Sequence, residues 1–478
     1  MRDLSFNLKA SYGLGQLSVG ALSLMQRICL FFFYSQILGL PPLLAGLASV
    51  IASLFDAITD PIIGSFSDNW KSKYGRRFPF LVVGTFPTAL SAFLLFTPLV
   101  DGEILLFSWF VFFSCLTNLF LTFFAIPHFA LGAELSKDYL ERAAVVGYRQ
   151  FFYFFGQVIV LFLAYGYFFA PTVDYANGQL NPEVYNPFII VVAIIYLLAS
   201  ITSIWKTKSV IPHLIAAEKK VDFSFIESFK SIFSDIHKAL QNRSFRMVFF
   251  GNIFTSMAAG VTFNLELYAL TFFWGLSGEM SLLLVGLAFY PGAFIGIFIA
   301  KQLIDRLGKG NSMLYGNAMW IIFIIIPILM KLLGMLDELE ISLIIILLVS
   351  FRIMQGIAIT PCDIAFGSSL ADISDEQEIK THKRQEGAFF AAAFFSIKAS
   401  LGLGSALSGF ALWFIAWPSS VDNITSENLF NLGIVLGPFV AIIGLISCYF
   451  YSKYDLSKGR HLEILNQLDL RKNKKFNL

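Results

Sequence analysis

Charge is scarce in this chain. Only 14% of its 478 residues are Asp, Glu, Lys or Arg, against roughly 25% in soluble globular domains, so it cannot make a water-facing surface of ordinary size. Cysteine is scarcer still. Cys29, Cys115, Cys362 and Cys448 all sit in apolar runs at irregular spacing, which excludes a disulfide framework or a metal-binding pattern and leaves small packing residues. There is no HExxH stretch and no GxSxG followed by a suitable His, so a membrane-embedded hydrolase or zinc enzyme lacks its motif. The opening MRDLSFNLKA has no apolar core ahead of a small-residue cleavage site. The first apolar stretch is therefore expected to stay in the protein as a helix. A formal net charge of +2 offers no basic surplus, and no nucleic-acid partner is expected.

What the chain has instead is apolar length. It is 57% hydrophobic, with 54 Phe spread from end to end. Stretches long enough to cross a bilayer, about 20 residues each, number twelve: 10–37, 42–67, 78–99, 104–134, 143–170, 186–207, 245–275, 281–301, 312–333, 340–371, 387–416 and 428–452. The connections alternate in charge. Lys71, Lys73, Arg76 and Arg77 follow span 2, Lys137 and Arg142 span 4, Lys206, Lys208, Lys219 and Lys220 span 6, and Lys301, Arg306 and Lys309 span 8. Lys472, Lys474 and Lys475 lie in the tail. The other connections hold Asp101, Glu103, Asp174, Glu183, Glu279, Asp422 and Glu427 with one basic residue, Lys331. By the positive-inside rule both termini are expected in the cytoplasm. Trp205, Trp274 and Trp417 stand at span ends, where an interfacial aromatic belt is expected.

The chain also divides in two. A polar stretch, 209–244, separates six spans (1–208) from six more (245–453), with a tail at 454–478. Within it Phe225, Phe229, Ile232, Phe233, Ile236 and Leu240 recur at helical spacing, which predicts a helix on the membrane surface. The turn GSFSDNWKSKYGRR after span 2 has a weaker counterpart, KQLIDRLGKG, after span 8. Both run Asp, then basic, then Gly. The expected fold is an all-α membrane protein of two pseudo-symmetric six-helix halves, with its site at the midplane between them.

Asp56 and Asp60 lie inside the apolar run 45–64, four residues apart and so on one helix face. A carboxylate at mid-membrane depth costs at least ~2.5–3.5 kcal/mol. Two stacked carboxylates repel, so one takes up a proton or the pair shares a cation. The competing reading is that they pair with Arg149 and Lys398 to hold helices together. Acids at this depth are usually functional, and two on one face point to cation-coupled transport.

Longer motifs carry a resemblance. FDAITDPIIG (Phe55–Gly64) followed by SDNWKSKYGRRFPF, AIPHFALGAEL with DYLERAAVVGYR (Ala125–Arg149), and LADISDEQE with HKRQEGAFF (Leu370–Phe390) resemble the glycoside–pentoside–hexuronide:cation symporters. These form the melibiose permease-like branch of the major facilitator superfamily. The resemblance covers essentially the whole chain, with Lys398 in span 11 and GRHLEILNQL in the tail also matching. It implies the major facilitator fold, a bacterial inner-membrane location, a monomer, and no cofactor beyond a coupling Na⁺ or H⁺. It implies that Asp56, Asp60 and Thr122 bind that cation, with Thr59 where an Asn often sits. Arg149 and Lys398 match basic residues near the solute. The acids that hold galactosides in the family are replaced by Gly20 and Ala125, and a tryptophan of span 10 by Asp363.

Arg27 lies near mid-depth of span 1, too deep for easy snorkelling. With the two acids absent, Arg27, Arg149, Lys398 and Asp363 form the candidate solute set, and an anionic sugar, a uronide or sulfosugar, is expected. Glu266 and Asp363 can instead neutralise these cations internally. Asp68, Arg76 and Arg77 are expected to act as a gate latch. His128, beside Pro127, is expected to be a packed neutral histidine. Asn423-Ile424-Thr425 matches a glycosylation sequon on the acidic side, a pattern common by chance. A lysolipid symporter of the same superfamily is the alternative. A receptor or scaffold would show no solute-linked ion flux.

Overall fold

The computed structural model describes residues 4–70, 72, 74–135, 139–208, 234, 236–276, 279–381 and 386–476. Among these, eleven helices are long and apolar enough to cross a membrane, and a bent pair, Arg243–Asn264 with Glu266–Phe273, makes twelve when taken as one span. They are α1 (Phe6–Ile37), α2 (Pro42–Asn69), α3 (Phe78–Leu95), α4 (Glu103–Glu134), α5 (Tyr139–Leu163), α6 (Tyr185–Thr207), α7 (the bent pair), α8 (Leu283–Leu307), α9 (Lys309–Leu332), α10 (Ile341–Thr381), α11 (Glu386–Phe414) and α12 (Ser426–Ser452). A further helix, α13 (Lys458–Phe476), forms the tail. The predicted surface helix lies outside the described residues except for its last turns, as do Lys71, Lys73 and Lys137.

Local chemistry sets the ends. Ser5 caps α1 by accepting from the Leu8 N–H at 3.3 Å, which satisfies one orphan donor of the first turn. Proline stands at the start of α2 and α3, where its missing N–H costs nothing. Gly75 and Gly308 adopt φ of +79° and +80° in the two basic turns, a region open to glycine but strained for other residues.

The chain forms two compact units. One is Met1–Phe229 with Phe263–Leu283 and Ser405–Thr425; the other is Lys230–Thr262 with Leu284–Gly404 and Ser426–Leu478. In the first, α1 packs on α5 and α6, α2 on α4, and α3 on α4 and α6. In the second, α8 packs on α10, and α9 on α10 and α12. Adding six to the numbers of α2/α4, α3/α4 and α3/α6 reproduces the second set, so the repeat read from the two turns extends to helix pairing.

Two crossings depend on small residues that let backbones approach. A Cβ on Gly20 would overlap the Tyr153 carbonyl oxygen, and one on Gly156 that of Leu17, which fastens α1 to α5. Gly260 and Gly404 meet in the same way where α7 crosses α11. The large outward side chains are apolar: Val82, Phe86 and Leu90 on α3, and Ile194, Leu198 and Ile201 on α6, are all exposed. At spacings of three and four residues they form stripes suited to lipid.

Two expectations need correction. Span 10 continues ten residues beyond its apolar run, to Thr381, because polar residues such as Glu376, Gln377 and Lys380 are good helix formers even though they end the hydropathy signal. The tryptophans are not one belt. Trp205 is 68% exposed, but Trp274 and Trp417 are buried at 8% and 6%. Trp417 Nε1 donates to Gln36 Oε1 at 2.9 Å and its ring meets Tyr268 edge-on. Packing on a neighbouring helix overrode proximity to a span end.

Candidate functional site

The seam between α2 and α4 collects polar groups at one register. Thr122 Oγ1 lies 2.8 Å from Asp60 Oδ1 and 3.2 Å from Asp56 Oδ1. One turn earlier on both helices, Asn118 Nδ2 donates to the Ala52 carbonyl at 3.5 Å. One turn later, Gly64 faces Ile126. The offset between the helices is 66 residues up to Asp56 and 62 from Asp60 onward, so Thr122 is the one α4 position in these contacts that faces two turns of α2. Thr122 is buried at 3% exposure and both aspartates are half-buried, near the middle of the 28-residue α2.

A hydroxyl carries one proton and can donate to one carboxylate at a time. Thr122 Oγ1 therefore faces two carboxylate oxygens of which it can satisfy one, and a positive species between them relieves the repulsion. Pro61 inside α2 has no N–H to give the Ala57 carbonyl four residues back, which leaves another oxygen beside Asp60. The Thr59 hydroxyl is turned elsewhere, donating to the Asp56 backbone carbonyl at 3.2 Å. Among the described residues no three His, Cys, Asp or Glu side chains are grouped so as to hold a metal ion. Two carboxylates with neutral oxygens suit a hard alkali cation or a proton.

The solute candidates divide between the two units. Arg27 lies with its guanidinium carbon 5.0 Å from the Phe263 ring centre, just before the 49° bend of α7. Arg149 sits 3.8 Å over the Phe129 ring. Both are cation–π contacts within the first unit. Asp363 on α10, exposed, and Lys398 on α11, half-buried, belong to the second unit. Gly20 is closed by the α5 backbone, and Ala125 packs against the core of Val19, Phe78, Leu81, Phe124 and Leu131. Both positions that hold galactoside acids in the family are packing positions here. His128 is packed as well, stacked 4.5 Å from Tyr12 and 5.3 Å from Phe124, with ring nitrogens 3.1 Å from Gln16 Nε2 and 3.3 Å from Ser203 Oγ.

The three residues of the turn after α2 come together. Arg77, 5% exposed, pairs with Asp68, donates to Ser67 Oγ at 2.7 Å and reaches Glu134 Oε1 at 3.2 Å, while Arg76 reaches the same oxygen at 2.7 Å. Glu134 escaped sequence reasoning. Its signal was its place in the GAEL stretch at the end of α4, where it is the one acid of AIPHFALGAEL.

A family model described as MFS/sugar transport protein matches residues 11–458. The putative glycoside/cation symporter YagG of Escherichia coli is 23% identical, over 98% of this chain and 96% of its own length. A putative 2,3-dihydroxypropane-1-sulfonate exporter of Salmonella typhimurium is 24% identical, over 98% and 97%. Sodium-dependent lysophosphatidylcholine symporter 1 of Xenopus tropicalis is 22% identical, over 92% and 85%. In fold, the chain is similar to the inward open xylose transporter XylE from E. coli, with a TM-score of 0.61, 15% identity, and coverage of 97% and 99%.

Proposed function

This chain belongs to the MFS/sugar transport protein family, and from that premise we propose that it carries a sugar-like anionic solute together with Na⁺ or H⁺ by alternating access. The observation that carries the reading is Thr122 Oγ1, within hydrogen-bond reach of Asp56 and Asp60 at once. Cation entry removes the carboxylate repulsion and ties α2 to α4, and solute affinity rises in response. By reciprocity the solute tightens the cation by the same factor. One cation with a monovalent anionic solute moves no net charge, so the ion gradient alone drives accumulation; each further cation carried would add ~2.3 kcal/mol per 100 mV.

The solute class rests on charge. Arg27 and Arg149 each lie over an aromatic face, Arg149 also bonding the Tyr12 hydroxyl, and guanidinium donors suit a carboxylate or sulfonate. The family's galactoside acids are replaced by residues used for packing, and one relative is named for a sulfonate. The basic loops support a cytoplasmic placement of both termini.

The test is counterflow in proteoliposomes with and without sodium, using uronides and sulfosugars as competitors. Asp60→Cys is expected to abolish cation-driven accumulation while the protein is still made and inserted; unchanged accumulation would remove the coupling role. Uptake of a neutral galactoside that no anionic sugar inhibits would remove the solute class. Competition by a lysophospholipid instead would replace it with the class named for the Xenopus relative.

A further inference from the structure

One polar group on the α2–α4 seam has no role in the pair just described. Asn118 precedes Thr122 by four residues, as Ala52 precedes Asp56, and Asn118–Ala52 and Thr122–Asp56 contacts share one register. The amide nitrogen holds the Ala52 carbonyl only at 3.5 Å, and the amide oxygen accepts no hydrogen bond from any described residue. The side chain is half-buried, one helical turn, about 5–6 Å, from Thr122.

Resting on the reading of Asp56 and Asp60 as the coupling site, we propose that Asn118 Oδ1 is a further oxygen ligand for the cation, and that the cation is Na⁺. A proton needs a single carboxylate oxygen. An alkali ion needs several oxygens around it, carboxylate and neutral together. Thr122 supplies one neutral oxygen on α4. Thr59, the other hydroxyl near the pair, is committed to the Asp56 carbonyl of its own helix. Asn118, one turn from Thr122, offers a second neutral side-chain oxygen on the α4 side of the seam, which a turn of its amide away from the long Ala52 contact would free for the ion. The ligand set is then two carboxylates from α2 and two neutral oxygens from α4, so Na⁺ binding draws both helices together over two turns. A proton would act on the carboxylates alone.

The experiment is a NaCl titration of the purified full-length protein, at constant ionic strength with choline chloride, reading the thermal unfolding midpoint. A ligand that binds the folded state raises it in proportion to its affinity. The wild type is expected to show a saturable rise. Asn118→Ala is expected to move the half-saturating Na⁺ concentration upward by roughly tenfold or more, with its sodium-free midpoint unchanged. Asn118→Ser serves if the alanine variant does not fold. Half-saturation within twofold of wild type in the folded variant overturns the proposal. Loss of the Na⁺ response in Asn118→Ala together with retained solute-linked proton uptake supports it. A wild type that ignores Na⁺ but takes up protons with solute overturns it and leaves the coupling reading standing. A Na⁺ response that survives Asp60→Asn overturns both.

Discussion

The two basic turns, after α2 and after α8, meet the same structural need with material from different parts of the chain. After α2 the turn supplies its own cations. Arg76 and Arg77 converge on Glu134 Oε1, and Arg77 is buried against Ser67 and Asp68 besides. After α8 the turn supplies one, Lys309, which reaches Asp372 Oδ2 at 2.6 Å and the Ser368 carbonyl at 3.1 Å. The remaining partners come from the tail. Arg460 pairs with Glu376 at 2.8 Å, His461 lies 3.1 Å from Asp375, and Arg471 reaches the carbonyls of Glu378 and Ile379 at the end of α10. Ile464 and Leu468 of α13 are buried at 7% and 5%. The second network is thus spread over the polar extension of α10 and a separate helix. Arg460 and Lys458 remain 44% and 69% exposed, against 6% for the Arg77 side chain. Buried cations and exposed ones differ in what their loss costs.

That contrast can be broken most directly at Arg77. Arg77→Ala removes the partner of Asp68, whose side chain is 55% exposed, and one of the two cations on Glu134, Arg76 remaining, and is expected to cost about 1–3 kcal/mol, read as a fall in the unfolding midpoint in detergent. Arg77→Lys should recover only part of this, since an ammonium lacks the planar fork that serves three acceptors. A loss as small as that of a surface pair would make the two turns energetically alike. The comparison sharpens at Glu376, which also accepts from Lys380 at 3.1 Å and Asn242 at 3.3 Å. A double-mutant cycle between Arg460→Ala and Glu376→Gln is expected to show coupling of about 0.5–1.5 kcal/mol. Zero coupling would reduce the tail contact to one of position alone. The smallest effect is expected at Lys458→Ala. Its pair with Asp305 at 3.6 Å is exposed on both sides, and such pairs contribute at most about 1 kcal/mol and often nothing measurable.

Local chemistry made much of this readable before any coordinates. Hydropathy marked twelve spans because each must satisfy its backbone internally and face lipid. The Asp56–Asp60 spacing set both acids on one face because a helix repeats every 3.6 residues. Hydropathy failed where polar residues stayed helical, at the end of α10, and where an aromatic near a span end turned inward, at Trp417. Glu134 and Asn118 went unassigned for a different reason. Their partners lie 57 and 66 residues away, and nothing in a local window says which helix will be the neighbour.

Composition and periodicity alone therefore determined that the chain lives in a bilayer and holds two carboxylates on one helical face within it, since burial of apolar length and helical pitch are properties of each segment. Only the tertiary structure decided that Thr122 stands between those carboxylates, that Gly20 and Ala125 are used for packing, and that the tail completes the second basic turn. Those outcomes depend on which helix surfaces interlock and at what register, a matter of shape between distant segments that no single segment encodes.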